Sequence, residues 1–422
     1  MGRNESKMKQ TKLTMMLAGI LAAAMLTGCG SVHAASLMDG IKPGTVDAAP
    51  LAEASADAVT DFAVRLFRES ASDGESTLIS PLSVLSALAM TTNGAEGETR
   101  AQMESVFGMT AEELNLWLYS YHRTLPESGK YKLNLANSIW FTDKESFTVN
   151  TDFLQLCADY YDAELYRLPF DEGAKSAING WVKEETDGMI KEIINEIPEE
   201  AVMYLVNALA FDAEWQDIYK ESQVRPGTFT KEDGTVREAE MMYSDENRYL
   251  EDDDASGFIK YYADRKYAFA ALLPDEGVSV AEYVQSLDGA SLRKMLLDAE
   301  TVTVETAIPK FTCEYDVEMS AILKAMGMTN AFSGDLADFS GLGHSTEGDL
   351  CISRVLHKTF IQVDEKGTKA GAATAVEVVT ESVMMLPENV KRVYLDRPFV
   401  YMLIDCETMM PFFIGTLMDV EE

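Results

Sequence analysis

One stretch near the C-terminus carries small or apolar residues at every second position. The residues on this face are Thr368, Ala370, Ala372, Thr374, Val376 and Val378, while Lys369 and Glu377 belong to the alternate set. A period of two predicts a β-strand with two unlike faces. Side chains this small bury little apolar surface each, so they hold a strand only weakly. We therefore predict a strand that can move past its neighbours.

The rest of the chain mixes helical and strand-like patterns without an internal repeat. Apolar residues at helical spacing predict helices over 80–90, 178–194 and 314–326. Apolar or alternating runs predict strands over 203–211, 267–273 and 301–307, and a hairpin over 399–405 and 411–418. The order of these elements predicts a single α+β domain over residues 56–422.

Composition narrows the class of protein. The chain has 422 residues, 47% of them hydrophobic, which is enough for a large core. A net charge of −35 argues against a nucleic-acid partner, because phosphates would repel such a surface. The acidic run 251–254 lacks the alternating spacing and the glycine of a calcium loop, so a solvated turn is favoured.

The N-terminus has the pattern of an export signal. Four basic residues precede the apolar run 13–25, which is too short to span a bilayer comfortably. The following Leu26-Thr27-Gly28-Cys29 resembles a bacterial lipoprotein signal, which implies removal of residues 1–28 and a lipid on Cys29. The alternative is an ordinary secretory signal cut near residues 34–36. Residues 29–55 are predicted to form a flexible tether, which gives an exported protein anchored at the cell surface or free in the extracellular space.

The cysteines predict no metal centre. Apart from Cys29 they are widely scattered, without a CxxC motif or a His/Cys cluster: Cys157, Cys313, Cys351 and Cys406. Small buried thiols are the favoured interpretation. Disulfides stay open for an exported protein.

An enzyme needs reactive groups that converge, and the chain offers few. Gly343-His344-Ser345-Thr346-Glu347 approaches the GxSxG nucleophile elbow, but Glu347 replaces the glycine that the tight strand-to-helix turn requires. No phosphate-binding glycine loop, dinucleotide fingerprint or HExxH motif is found. We therefore predict a protein that is not an enzyme and that needs no cofactor.

Eight short blocks, in order along the chain, resemble those of the serpin family. They are TLISPLS (77–83), NGAEGET (93–99), LNLAN (133–137), INGWV (178–182), NALAF (207–211), IPKF (308–311), DFSG (338–341) and DRPF (396–399). The resemblance extends over residues 56–422. It implies a monomeric α+β domain with a large central β-sheet, further sheets, about eight or nine helices and an exposed reactive-centre loop at about residues 365–393.

The resemblance also implies a mechanism. The exposed loop is bait for a serine protease, and the cut loop inserts into the large sheet while the protease is still acylated to it. Here the inserting segment would be 367–380. The resemblance assigns a hinge of the loop to Glu365, Gly367, Thr368, Ala370, Ala372 and Thr374. A charge at Thr368 would be buried unpaired and would stop insertion. We expect inhibition, because small hinge residues let the strand pass.

A second set of residues, called the gate residues here, surrounds the place where the strand would enter. By resemblance they are Lys310, Ser80, Ser83, Asn207, Trp215 and His357. Lys310 would pair with Glu365, the alternative being two solvated charges of little consequence. His357 is expected to be a hydrogen-bonded residue rather than a catalyst, and Trp215 could equally be a simple core residue.

The family's spacing from hinge to cut site gives a candidate scissile bond. Counting sixteen residues from Glu365 places it between Glu381 and Ser382. A glutamate before the cut favours a glutamyl-specific protease. Val379, Thr380, Met384 and Met385 suit elastase-like or chymotrypsin-like enzymes if the register shifts. The alternative function is a non-inhibitory serpin-fold binding protein, whose loop is cleaved without trapping.

Overall fold

The computed structural model describes residues 34–72, 74–125, 131–198, 201–368 and 389–420. Its α-helices are α1 (Glu53–Ser70), α2 (Pro81–Thr92), α3 (Gly97–Phe107), α4 (Ala111–His122), α5 (Thr151–Tyr160), α6 (Glu172–Glu185), α7 (Val280–Ser286), α8 (Gly289–Leu297) and α9 (Ser320–Ala325). The described residues thus hold the number of helices that the resemblance implies.

The strands of the first half are β1 (Ala35–Ser36), β2 (Thr77–Ile79), β3 (Tyr131–Thr142), β4 (Phe147–Val149), β5 (Glu164–Leu168), β6 (Met203–Glu214), β7 (Val224–Thr230), β8 (Val236–Glu246), β9 (Tyr249–Glu251) and β10 (Ala255–Tyr261). Those of the second half are β11 (Tyr267–Pro274), β12 (Thr303–Pro309), β13 (Phe311–Glu318), β14 (Gly343–Ser345), β15 (Leu356–Val363), β16 (Gly367–Thr368), β17 (Val390–Tyr394), β18 (Phe399–Asp405) and β19 (Met410–Leu417).

The largest sheet runs in the order β1-β5-β3-β6-β16-β15-β13. Long antiparallel ladders join β3 to β6 and β13 to β15. Among the described residues, only Gly367 and Thr368 of β16 lie between these two blocks. In that part of the chain, the sheet therefore consists of two firmly paired halves that meet through two residues.

A six-stranded sheet, β2-β19-β18-β11-β10-β9, forms the centre of the core. Every residue of β11, β18 and β19 is buried. This agrees with the apolar runs that predicted a strand over 267–273 and a hairpin over 399–405 and 411–418, because strands covered on both faces need no polar alternation. A four-stranded sheet, β17-β12-β8-β7, completes the α+β fold.

Helix α2 is buried along its whole length. Its start agrees with the sequence: Pro81 occupies the first turn, and the Ser80 hydroxyl accepts a hydrogen bond from the amide of Ser83. The helix passes against β6 and β19 and so lies between the two larger sheets. Ser80 is thereby fixed beneath the large sheet.

Two helix predictions were wrong in part. The segment 314–326 divides into the end of β13 and the short helix α9, because Glu314, Asp316 and Glu318 alternate with residues facing the core. Helix α6 starts earlier than predicted and ends at Glu185, where Asp187 and Gly188 both have positive φ (51° and 81°). Ile190, Ile193 and Ile194 instead lie in a loop and pack in a small separate core.

Residues 34–52, which the composition assigned to a flexible tether, lie against the domain. Strand β1 pairs with β5 through Ala35 and Ser36. The amide of Ala49 donates to Ser120 Oγ (3.0 Å), and the hydroxyl of Tyr119 donates to the carbonyl of Val46 (3.0 Å). This part of the predicted tether has ordered partners that its composition did not indicate.

Candidate functional site

The candidate site is the end of the large sheet where β16 begins. Thr368 pairs with Ala213 of β6 on one side and with Val363 of β15 on the other. Gly367 pairs with Glu214. In the part of the chain that the structure describes, β6 and β15 share no ladder of their own beyond this point. The first two residues of the predicted mobile strand therefore already occupy a place between two existing strands.

The side chain of Thr368 points into the interior and is 2% exposed. Its hydroxyl shares a hydrogen bond with the hydroxyl of Tyr262, which is itself fully buried. The inward direction is the one predicted for this hinge residue. A charged side chain here would lose its water without gaining a partner.

Gly367 is required by a close approach of two backbones. A Cβ at this position would lie 2.0 Å from the carbonyl oxygen of Ala213, which no side chain can accommodate. The preceding turn is closed by Asp364, whose Oδ1 accepts hydrogen bonds from the amides of Lys366 (2.8 Å) and Gly367 (3.2 Å). The amide of Asp364 donates back to the Gly367 carbonyl (3.0 Å).

Trp215 and Tyr219 hold the outside of this turn. The indole Nε1 of Trp215 donates to the carbonyl of Asp364 (2.8 Å), and its amide donates to that of Lys366 (2.8 Å). The amide of Tyr219 donates to the carbonyl of Glu365 (3.0 Å). Trp215 is thus both a core residue, 1% exposed, and the main partner of the turn.

Lys310 and Glu365 form an ion pair across the entry point. Lys310 Nζ lies 2.9 Å from Glu365 Oε2 and 3.3 Å from Glu240 Oε2. The hydrogen bond from Lys310 lowers the pKa of Glu365 below its usual value. Both side chains are partly exposed, at 27% and 35%, so the pair contributes modestly to stability.

Ser80, Ser83 and His357 meet beneath the sheet. The amide of Ser80 donates to His357 Nε2 (3.0 Å), which makes that nitrogen an unprotonated acceptor. Burial lowers the pKa of His357 to about 3, so the ring is neutral at pH 7. A buried neutral imidazole that accepts a backbone hydrogen bond fits a structural role. Asn207 lies on β6, paired with Asn137 of β3.

Several predicted site residues lie outside the described part of the chain. These are the hinge residues Ala370, Ala372 and Thr374, the candidate scissile pair Glu381 and Ser382, and the lipidation candidate Cys29.

The near miss to a hydrolase motif has no elbow. Gly343–Ser345 forms strand β14, which pairs with β4, and His344 is exposed. Cys157, Cys313, Cys351 and Cys406 are free thiols. Burial raises the pKa of Cys157 and that of Cys313, so both thiols stay protonated at pH 7. Asp252–Asp254 form the turn between β9 and β10, with Asp252 Oδ1 accepting the amides of Asp254 and Ala255.

The sequence did not identify Tyr262, Tyr219 or Asp364 as site residues. Tyr262 follows a strand in the run Tyr261-Tyr262, where either ring could have faced the core. In the structure, an isolated β-bridge joins Tyr262 to Trp215. The Tyr262 ring faces inward and stacks on the indole, with 4.5 Å between centroids and 7° between planes. Asp364 offered a weak signal, as an aspartate three residues before a glycine.

Comparison with known proteins agrees with this architecture. The family model described as Serpin (serine protease inhibitor) matches residues 57–420. Human Serpin B9 is 32% identical over 365 residues, which cover 83% of this chain and 95% of Serpin B9. The chain therefore belongs to the serpin family, whose members are generally protease inhibitors rather than enzymes.

Two solved structures of the thermophilic serpin tengpin are similar to this chain. The native-state structure has a TM-score of 0.87 and 47% identity, covering 92% of this chain and all of that one. The latent-state structure has a TM-score of 0.79 and 45% identity, covering 89% of this chain and all of that one. The backbone of the present chain is thus nearer to the native-state arrangement.

Proposed function

We propose that this chain is a suicide inhibitor of serine proteases. The protease cleaves the loop, and insertion of the cleaved loop into the large sheet traps the protease as an acyl-enzyme. The observation that carries the proposal is the position of Gly367 and Thr368 between β6 and β15. A strand that has already begun to enter the sheet needs only the release of its far end to continue. Cleavage of the loop supplies that release.

The register of β16 says where the following residues would go. If the pairing continues, Ala370 lies between Phe211 and Ile361, and Ala372 lies between Leu209 and Thr359. All four of these neighbours are buried. Only small residues fit among side chains that are already packed, which explains the two alanines.

The same register brings the strand to the gate residues. Thr374 would come opposite Asn207 on β6 and opposite His357 on β15. A threonine can offer a hydroxyl at that level of the sheet, where a charged residue would be buried unpaired. The hinge composition therefore supports complete insertion rather than a halt after two residues.

The energy of insertion is sufficient for a trap. Each backbone hydrogen bond gained contributes about 1 kcal/mol net, so a strand of a dozen residues contributes on the order of 10 kcal/mol. Such a gain makes insertion effectively irreversible. The acylated protease would be carried along before water releases it.

The proposed scissile bond is Glu381-Ser382, and the proposed targets are glutamyl-specific serine proteases. Elastase-like or chymotrypsin-like enzymes are the alternative if the cut lies elsewhere in 379–385. The basis is the spacing from Glu365, which sets how far the trapped protease can travel.

We also propose that the protein is exported and anchored by a lipid on Cys29. None of the helices that the structure describes is long and apolar enough to cross a membrane. Residues 29 and 34 are five positions apart, a span of at most about 18 Å. Because residues 34–52 lie against the domain, such an anchor would hold the domain close to the lipid surface.

The test mixes the purified full chain with glutamyl-, elastase-, chymotrypsin- and trypsin-type proteases. We expect a complex that survives denaturing electrophoresis, with release of the 41-residue peptide 382–422. The same complex with a different peptide would keep the mechanism and move the cut site. Cleavage without a complex by every protease would refute inhibition and favour the non-inhibitory binding protein.

A further inference from the structure

Lys260 carries a charged group into the interior behind the entry point. It lies on β10 and its side chain is 2% exposed. Its ammonium lies 2.7 Å from the carboxylate of Glu246 on β8, whose side chain is 14% exposed. Burial by itself lowers the pKa of Lys260, but Tyr219 and Glu246 raise it by more, so the side chain stays charged. A buried ion pair joins two different sheets at this place.

The ammonium also lies against the two aromatic residues that hold the turn. Lys260 Nζ is 4.4 Å from the ring centroid of Tyr219 and 5.4 Å from that of Trp215. These distances are within the range of cation–π attraction, which is strongest where water is excluded. The Ser244 hydroxyl links the Glu246 carboxylate to Tyr219: it donates a hydrogen bond to Glu246 Oε1 (2.7 Å) and lies 3.2 Å from the Tyr219 hydroxyl.

The contacts of Lys260 lead directly to the hinge. Tyr219 and Trp215 bind the carbonyls of Glu365 and Lys366 with their amides. Trp215 also stacks on Tyr262, whose hydroxyl bonds to Thr368. The buried charge is therefore linked to the turn through one intervening residue, and to Thr368 through Trp215 and Tyr262.

We propose that Lys260, neutralised by Glu246, is a positioning residue for loop insertion: its ammonium holds the rings of Trp215 and Tyr219 so that their amides keep the turn 364–366 in place. The role rests on the proposed function, because a positioned turn matters only if the loop inserts. Lys260 itself touches neither the loop nor a protease.

The physical consequence is local. Without the ammonium, the segment 215–219 loses an attraction that packing alone does not replace, and its two amides open more often. The turn then starts the strand in a less defined place, so more cleaved molecules release the protease before the trap closes. We therefore expect faster amide exchange at residues 215 and 219 together with a higher number of inhibitor molecules consumed per protease.

The experiment compares four full-chain variants with the wild type. Lys260→Met keeps the apolar stem and removes the charge, and Lys260→Arg restores a cation. Lys260→Met combined with Glu246→Gln removes both charges. Lys266→Met is the matched control, because Lys266 pairs with the buried carboxylate of Asp405 (3.1 Å) on the same sheet.

Hydrogen exchange at the amides of Trp215 and Tyr219 is the first measurement. We expect Lys260→Met and the double variant to exchange on the order of thirtyfold faster there, the size that a desolvated cation–π contact implies. Amides of β11 should keep their protection, and Lys260→Arg should recover most of the loss. Lys266→Met should leave residues 215 and 219 unchanged.

The second measurement is the stoichiometry of inhibition. We expect it to rank the variants as amide exchange does, which a purely structural role of Lys260 would not produce. Unchanged exchange at residues 215 and 219 in Lys260→Met would overturn the proposal. Exchange at the wild-type rate in the double variant would also overturn the proposal, because it would show that the only role of Lys260 is to neutralise Glu246. A wild-type protein that traps no protease would refute the proposed function instead. The exchange data would still show whether Lys260 positions residues 215 and 219.

Discussion

The hydroxyl groups of Tyr262 and Thr368 share a hydrogen bond in the interior, directly behind the first residues of β16. Both side chains are at least 98% buried. Thr368 therefore has a prepared polar partner on the core side of the sheet. Thr368, the first inward residue of the predicted hinge, is therefore held by a hydrogen bond as well as by packing.

Replacing Tyr262 with phenylalanine should destabilise the native protein by about 1–3 kcal/mol. The ring would still stack on Trp215, but the Thr368 hydroxyl would be left buried without that partner. Denaturant unfolding measures the change. Tyr204→Phe is the control, since the Tyr204 hydroxyl has no hydrogen-bond partner among the described residues. Equal losses in the two variants would contradict this account.

Thr368→Arg should convert an inhibitor into a substrate. The guanidinium would be buried unpaired between β6 and β15, which costs several kcal/mol, so residue 368 would leave this place, the cleaved loop would stall and the protease would escape. Denaturing gels should show cleaved protein without a complex, whereas Thr368→Ser should still form the complex. A Thr368→Arg protein that traps protease as well as the wild type would rule out the mechanism as stated.

The period of two in the hinge makes a paired prediction. Ala372→Lys should abolish trapping, because the extended register places residue 372 between Leu209 and Thr359, both buried. Ala373→Lys should be tolerated, because it would face outward beside Lys358, whose charge is already paired with Glu314 and Asp316. The yield of complex on denaturing gels compares them. The opposite order would show that the strand enters in another register.

Glu365→Gln should reduce the free energy of unfolding by at most about 1 kcal/mol at pH 7, since the pair with Lys310 is partly exposed. Pairing lowers the folded-state pKa of Glu365, so its contribution is present above the unfolded pKa of about 4.5 and disappears as the pH falls through the folded value. Unfolding curves at pH 7 and pH 3 measure this difference.

A double-mutant cycle with Lys310→Met isolates the pair, because Lys310 also contacts Glu240. The coupling energy should shrink in high salt. A coupling that is indifferent to salt would show that the effect is not electrostatic.

His357 should make the protein sensitive to acid. The unfolded chain binds a proton at this residue below about pH 6.5, whereas the folded protein binds it only near pH 3. The free energy of unfolding therefore falls by about 1.4 kcal/mol for each unit that the pH drops between these two values. His357→Gln should flatten the fall in stability between pH 6 and pH 4.

His344→Gln is the control for that experiment, because His344 is exposed. Its unfolding midpoints should follow the wild type at every pH. A His357→Gln protein with the wild-type acid slope would show that other groups cause the acid sensitivity.

Much of the fold could be predicted from the sequence where burial is uniform. The apolar runs of β6, β11, β18 and β19 indicated their strands, and Ser80-Pro81 indicated the start of α2. The predictions failed where an apolar pattern has two interpretations. Residues 190–194 look helical, but a left-handed turn at Asp187 and Gly188 ends the helix before them.

The candidate site was predictable in part. The serpin resemblance named Lys310, Glu365, Trp215 and His357, and it gave the inward direction of Thr368. It could not name Tyr262 or Lys260. The role of Tyr262 depends on a contact with Thr368, more than a hundred positions away in the sequence. The role of Lys260 depends on an ion pair with Glu246 in another sheet.

By itself, the sequence determined the small face of the strand predicted after Gly367, because alternation and side-chain size are local properties of the chain. It also determined the blocks that identify the family. Only the tertiary structure decided that Gly367 and Thr368 lie between β6 and β15 and which groups contact them. Those outcomes depend on where β6, β15 and Tyr262 lie relative to one another, and that arrangement is produced by the packing of distant segments rather than by any one of them.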